Sequence, residues 1–307
     1  MNFIPSYIEL LHNGELYKRA EKAYASLASC TSCPRDCNVD RINDEYGICT
    51  SGHLPIVSSY TPHFGEEPVL SGTSGTGNIF FGNCNLKCIY CQNFEISQNP
   101  KIEKQKEVSH DRLAEIMIEL QNKACHNIGL VSPTHFSATI LKSIYLAAQQ
   151  GLKLPIIYNT NGYDSVEMLK LYDGVIDIYL PDFKYGNSEY AKTYSLVDNY
   201  FEKTKEAIKE MYRQVGDKLV YGGDVVVRGL IIRHLILPND LSDTEKVFKF
   251  IAEELSPNVH ISLMSQYYPT NKAYKDILID RALRNSEYNK ALQLLEKYGL
   301  HNGWIQE

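Results

Sequence analysis

"NIFFGNCNLKCIYCQN", residues 78–93, begins as an uninterrupted apolar run and ends as three cysteines, Cys84, Cys88 and Cys91, spaced C-x3-C-x2-C. An apolar run bounded by Gly-, Ser- and Thr-rich sequence reads as a strand buried on both faces. Outward from it the pattern alternates: helix near 109–124, strand "NIGLV" (127–131), helix 137–150, strand "LPIIYN" (154–159), helix 165–171 and strand "GVIDIYL" (174–180). There follow a helical stretch from about 188 to 214, strand "DVVVRGLIIRHLIL" (224–237), helix 243–255 capped by Ser242, strand "NVHISLM" (258–264) and a helix over 286–298 ended by Gly299. Six buried strands alternating with helices predict an α/β fold, a partial (β/α)6 TIM-like barrel whose chemistry gathers at the C-terminal ends of its strands. Residues 51–77, with "LSGTSGTG", read as a loop leading into the first strand. Helical spacing over 2–28, then turn-rich sequence holding Cys30, Cys33, Cys37 and Cys49, predicts a small cysteine-rich N-terminal appendage over 1–54 ahead of a barrel domain over 55–307.

With 307 residues and 44% hydrophobic content, the chain can bury a sizeable core. A net charge of −6 without a basic block argues against nucleic acid as a partner. No apolar run approaches the roughly 20 residues of a membrane span, and the acidic "MNFIPSYIELLHNGEL" start is unlike a leader, so a cytoplasmic protein is expected. Seven of the eight cysteines fall into the two groups, and in a reducing compartment such spacing points to metal or cluster ligation rather than disulfides. Cys125, alone at the end of a helical pattern, reads as core filler.

Three thiolates placed just after a buried strand suit a cubane with four irons, because they leave one iron open to a ligand. A zinc site with a distant fourth ligand, or three unconnected thiols, is the bland alternative. The first group, C-x2-C-x3-C-x11-C, has four thiolates, enough to close a zinc site or an auxiliary iron–sulfur cluster. Zinc would staple the segment to the barrel, whereas a cluster near the pocket could pass electrons.

The C-x3-C-x2-C loop, with Tyr90 just before the third cysteine, resembles the signature of the radical S-adenosylmethionine (radical SAM) superfamily. Gln92 and Asn93 after it, the "TNG" turn and an Asp-x-Lys pair are similar to the pyruvate formate-lyase activating enzyme branch, and the stretch from "CTSCPRDC" to "NGWIQ" to its homologues with an N-terminal four-cysteine segment. The resemblance implies a 4Fe-4S cluster on Cys84, Cys88 and Cys91 whose open iron chelates S-adenosylmethionine, reductive cleavage to a 5′-deoxyadenosyl radical, a low-potential donor such as flavodoxin or ferredoxin, and a glycyl radical enzyme as a partner. Tyr90 and Asn93 would border the cofactor. Where the family has Gly-Gly-Glu this chain has "LVSPTHF", leaving Ser132 and Thr134 to supply oxygens, and His135 a contact. Asn159 and Asn161 of "YNTNGY" suit ribose hydroxyls, or form an ordinary turn. Asp182 and Lys184 of "YLPDFKY" would pair or touch the cofactor, and Met264 or Gln266 of "ISLMSQYYP" would border the adenine. Arg228 and Arg233 interrupt buried strand sequence and need an anion, which the cofactor carboxylate or an internal carboxylate such as Asp182 would supply, Arg228 being preferred for the cofactor by resemblance. His234 reads as a satisfied core histidine, and "HFGEEP", with His63, Glu66 and Glu67, as a solvated charged loop. Radical modification of a small metabolite or peptide, and a non-catalytic iron–sulfur electron-transfer protein, are the competing functions.

Overall fold

The computed structural model describes residues 3–306; residues 1, 2 and 307, which the expected domain limits include, lie outside the described residues. The opening apolar run lies second in a sheet of β1 (Val57–His63), β2 (Thr76–Phe81), β3 (Ile128–Val131), β4 (Ile156–Thr160), β5 (Ile178–Pro181), β6 (Val220–Gly222), β7 (Val225–Leu235), β8 (His260–Met264) and β9 (Gly303–Gln306). The pairing order is β1-β2-β3-β4-β5-β7-β8-β9, with β6 attached to β7. From β2 to β9 every pairing along this path is parallel, and β1 and β6 join antiparallel. This mostly parallel sheet, with helices between its strands, agrees with a partial barrel. The "NGWIQ" ending adds β9 to the six expected strands.

Alternation along the strands separates two cores. Ile156, Tyr158 and Tyr179 point to the helix side, where they join the main core. Ile157, Ile178, Leu180, Val226 and Ile231 form a second, smaller core on the other face.

Residues 51–77 are not simply a loop. They contain β1 and a one-turn helix, Pro68–Ser71, that plugs the inner core with the fully buried Leu70, whose carbonyl accepts from Asn127 Nδ2 at 2.9 Å. Burying that leucine contributes about 1.5–3 kcal/mol. β1 has an alternation that is half exposed, as suits an edge strand, and so lacks the continuous apolar run of its neighbours.

The N-terminal segment is also more integrated than an appendage. Its helices Tyr7–His12 and Glu15–Ala25 bury Tyr7, Leu16, Ala20 and Ala23 in the main core, against the helices Ser137–Gln149 and Val166–Leu171. Tyr7 donates to the carbonyl of Leu154 at 2.9 Å.

Helix starts follow local chemistry where a capping side chain is free to turn back. Ser109 accepts from Arg112 N–H at 3.0 Å, and Ser165 from that of Met168. Ser242 does not cap its helix: its hydroxyl donates to Leu235 O and accepts from Leu237 N–H, both at 2.8 Å, tying down the exit of β7. Asp243, at φ 47°, precedes the helix Thr244–Phe250, which widens into a π turn over Ile251–Leu255.

His234 is buried with Nδ1 2.6 Å from Phe183 O and Nε2 3.0 Å from Thr244 Oγ1, as a satisfied core histidine should be. Burial pushes its ring down to about 4, so the folded protein keeps it neutral while the unfolded chain takes up a proton below about 6.5. Its contribution is therefore complete above pH 6.5 and is lost as the pH falls towards 4. We expect His234→Gln to flatten the acid-side fall in unfolding free energy by on the order of 3 kcal/mol at about pH 4, read from urea titrations across pH. An unchanged slope would show that the ring carries no such coupling.

Candidate functional site

The cysteine loop leaves the C-terminal end of β2 through Asn83, whose φ of 63° turns the chain off the sheet. Asn83 is buried and its Nδ2 donates to Thr50 O at 3.1 Å, anchoring the loop to the N-terminal segment. From the opposite side, the N–H groups of Lys87 and Ile89 donate to Ser195 O and Tyr194 O at 3.1 and 2.9 Å, so the end of the helix Ser188–Ser195 holds the loop. Each thiol has its own polar neighbour: Cys84 Sγ accepts from Leu86 N–H (3.4 Å) and Asn161 Nδ2 (3.5 Å), Cys88 Sγ lies 2.9 Å from Ser195 Oγ, and Cys91 Sγ 3.2 Å from Ser97 Oγ. All three are free of disulfides. As the side chains stand, no three Cys, His, Asp or Glu groups among the described residues gather around a single ion position.

Burial pushes the Cys88 thiol up to about 12, against the opposing pull of Lys184 and Ser195, and the Cys84 thiol also rises through burial. Thiols so desolvated become thiolates when a metal replaces their protons. Three unoxidised thiols, one buried and two half-buried, each already facing a hydroxyl or N–H donor, fit the donor set of an iron–sulfur cluster.

Behind the loop stands a tyrosine network with no signal in the sequence beyond an abundance of the residue, 22 in all. Tyr90 OH meets Tyr185 OH at 2.7 Å, Tyr185 OH meets Ser195 Oγ at 2.7 Å, and Ser195 reaches Cys88. Tyr200 OH lies 2.8 Å from Asn161 O and 3.0 Å from Asp182 O, and accepts from Lys184 N–H at 3.0 Å. It thus clasps the "TNG" turn to the end of β5. Gly162 sits in that clasp at φ 81°, where a Cβ would fall 2.4 Å from Asp182 O. Gly162→Ala is expected to cost about 1–3 kcal/mol and to displace Asn161 from Cys84. Urea unfolding reads the first effect and iron retention the second; a fully stable variant with unchanged iron would contradict this geometry.

Asn161 meets the cysteines rather than standing free for a ribose. Its Nδ2 donates to Asn85 Oδ1 at 2.7 Å as well as to Cys84, and its Oδ1 accepts from Tyr163 N–H at 3.0 Å. Asn159 lies partly buried on the inner face beyond Ile157. Ser132 is partly buried at φ 57° and its N–H donates to Asn159 O at 2.9 Å. Thr134 is drawn into a buried network instead, its hydroxyl 2.9 Å from that of Thr160, which donates to Asp164 at 2.6 Å. His135 faces the first cysteine group. Asn93 is exposed at the start of the turn Phe94–Ser97. Gln266 approaches Met264 Sδ with Nε2 at 3.5 Å, and its carbonyl accepts from Gln92 at 3.0 Å, placing both beside the loop.

The two arginines of β7 have different partners. Arg228, near the start of β7, donates to Gln214 O at 2.6 Å and to Ser6 Oγ at 3.3 Å, and so is held by a carbonyl and a hydroxyl away from the cysteines. Arg233 lies further along β7, its backbone paired with that of Asp182 in an isolated parallel bridge. It grips Glu67 through Nε at 2.8 Å and Nη2 at 2.7 Å, and also bonds Glu66. The "HFGEEP" loop is therefore not solvated at its acidic pair: Glu67 is fully buried, and Glu66 accepts from Asn78 Nδ2 at 2.8 Å. Beyond Asp182, Lys184 Nζ donates to its carboxylate at 2.5 Å and lies within electrostatic range of Cys88. A continuous run of charge thus leads from the plug through Arg233 and Asp182 to the cysteines.

A parallel sheet with three free thiols clustered after the end of an inner strand is the setting for cluster chemistry. The Radical SAM superfamily profile matches residues 78–235, and the chain belongs to that superfamily, whose members typically use a 4Fe-4S cluster and S-adenosylmethionine. It is 34% identical to the uncharacterized protein MJ0674 of Methanocaldococcus jannaschii over 97% of this chain and 83% of that protein. It is 26% identical to a second uncharacterized protein of that organism, MJ0808, over 82% of this chain and 74% of that protein. No helix among the described residues is long and apolar enough to cross a membrane.

Proposed function

We propose that Cys84, Cys88 and Cys91 hold a 4Fe-4S cluster with one open iron, and that the chain is a radical enzyme of the pyruvate formate-lyase activating type. The observation that carries this reading is the loop itself: three reduced thiols after the end of β2, Cys88 buried and Cys84 and Cys91 half-buried, each facing a separate donor. When bound, the cluster and S-adenosylmethionine supply one-electron cleavage of a sulfonium carbon–sulfur bond. The protein's share is placement. Asn161, Ser195 and Ser97 orient the three sulfurs, the Tyr90–Tyr185 pair backs the buried Cys88 through Ser195, and Lys184 offsets thiolate charge at Cys88. Asp182, Lys184, Asn159, Met264, Gln266, Ser132, Tyr90 and Asn93 remain the cofactor's neighbours, with Arg233 joining them in place of Arg228.

Residues 55–307 form the barrel unit in this reading, and 1–54 a metal-binding segment laid over it. Eight unpaired cysteines suit the cytoplasm, where a flavodoxin or ferredoxin could serve as donor. Resemblance of the cysteine loop, the "TNG" turn and the Asp-x-Lys pair supports a glycyl radical enzyme as the target. The test is anaerobic incubation with S-adenosylmethionine, a low-potential reductant and candidate glycyl radical partners. Formation of 5′-deoxyadenosine and methionine in equal amounts is expected, with a glycine-centred radical on the partner. Cleavage with no radical on any partner would move the target to a small metabolite or peptide, and a reduced cluster without cleavage would overturn the reading.

A further inference from the structure

The first cysteine group surrounds a cavity of its own, lined by Cys30, Cys33, Cys37 and Cys49. Three of the four are buried, Cys37 is half-buried, and none is in a disulfide. A Cβ at Gly47 would fall 2.7 Å from Cys37 Sγ, so glycine lets the two turns close.

Charge in this wall is unbalanced. Arg41 is 1% exposed, yet its partners are Gly52 O at 3.0 and 2.5 Å, His135 O at 2.7 Å and Cys30 Sγ at 3.6 Å, with no carboxylate among the hydrogen bonds of the described residues. A buried guanidinium needs an anion, and four thiolates around a dication or a cubane carry about two net negative charges. Two further polar atoms on the same wall are buried without partners: Arg35 Nη2 and His135 Nδ1. His135 Nε2 lies 2.8 Å from Gly82 O and donates to it, leaving Nδ1 with a free lone pair.

Two features favour an iron–sulfur cluster over zinc. Three thiols come from one short loop and the fourth from a distance, as in cluster-binding ferredoxins, whereas structural zinc sites commonly pair ligands two and two. The group also adjoins the other trio. Asn85 lies on the cavity wall, its carbonyl accepts from Arg35 Nε at 3.0 Å, and its Oδ1 is 3.7 Å from Cys84 Sγ. Lys87 lies within electrostatic range of Cys49 on one side and of Cys84 and Cys91 on the other.

We infer that Cys30, Cys33, Cys37 and Cys49 hold a second 4Fe-4S cluster, closed to exogenous ligands, that passes electrons across Asn85 to the site of Cys84, Cys88 and Cys91. Its role as a relay rests on the function proposed above; its existence does not. A reduced donor of the flavodoxin or ferredoxin class gives up one electron, the second cluster accepts and then releases it to the trio's site, and no bond or proton is exchanged.

Iron, sulfide and zinc analysis of the anaerobically purified full chain tests this. About eight irons and eight sulfides per chain are expected, falling to about four of each in the Cys84→Ala/Cys88→Ala/Cys91→Ala variant, which should keep a reduced-cluster EPR signal that S-adenosylmethionine does not alter. Stoichiometric zinc, or an iron-free triple variant, overturns the inference. About four irons that all survive the triple substitution would uphold it while defeating the reading of the trio. Arg35→Gln with full iron content should slow reduction of the trio's cluster by reduced flavodoxin about tenfold; an unchanged rate excludes the relay.

Discussion

Cys88→Ser is expected to abolish S-adenosylmethionine cleavage, lowering turnover by on the order of 10⁴ or more, because the three thiols act as a unit and the loss of one removes the function of all. The serine hydroxyl is nearly isosteric and could keep the bond to Ser195, so the fold should survive. What it lacks is acidity and softness towards iron. Equal anaerobic loading of both proteins, followed by quantitation of 5′-deoxyadenosine, measures the effect. Cys125→Ser is the control: Cys125 is buried beside Gly77, away from both cysteine groups, and turnover should not change. Wild-type turnover in Cys88→Ser would remove the trio from the chemistry.

Arg233→Ala should be the most destabilising single substitution on the inner face. Glu67 is fully buried. Desolvation pushes its carboxyl up, but the Arg233 charge and its two hydrogen bonds outweigh that and hold it below the ordinary range. Without the arginine, a buried carboxylate pair loses its counter-ion, at a cost of about 3–5 kcal/mol out of a total stability of roughly 5–15. The sign of the pH dependence follows. In the variant, burial acts on Glu67 without the arginine's opposing charge, so protonation relieves the penalty and the gap to wild type narrows as the pH falls. Urea unfolding across pH checks both statements. Arg233→Met/Glu67→Gln should recover part of the loss, whereas additive single effects would show that the two side chains are not coupled.

The parallel strands were legible because burial on both faces leaves continuous apolar runs, as in "NIFF" and "NIGLV". β1 was not, since an edge strand with a half-exposed face carries polar residues that read as loop. The burial of Glu66 and Glu67 depends on Arg233, more than 160 residues away, and no local pattern announces that pairing. Arg228 and Arg233 share one strand, and alternation alone does not say which end of it lies near the cysteines. The metal-ligand candidates stood out by spacing, but the groups that orient them did not: Asn161, Ser195 and Ser97 meet the sulfurs only in the folded chain.

EPR of the anaerobically reconstituted, reduced protein, recorded before and after adding S-adenosylmethionine, addresses the open iron itself. The signal lost in Cys88→Ser is expected to shift when S-adenosylmethionine binds. If the signal lost in Cys88→Ser is instead indifferent to saturating S-adenosylmethionine, so that all the irons of the trio's cluster are held by protein ligands, the open iron is contradicted.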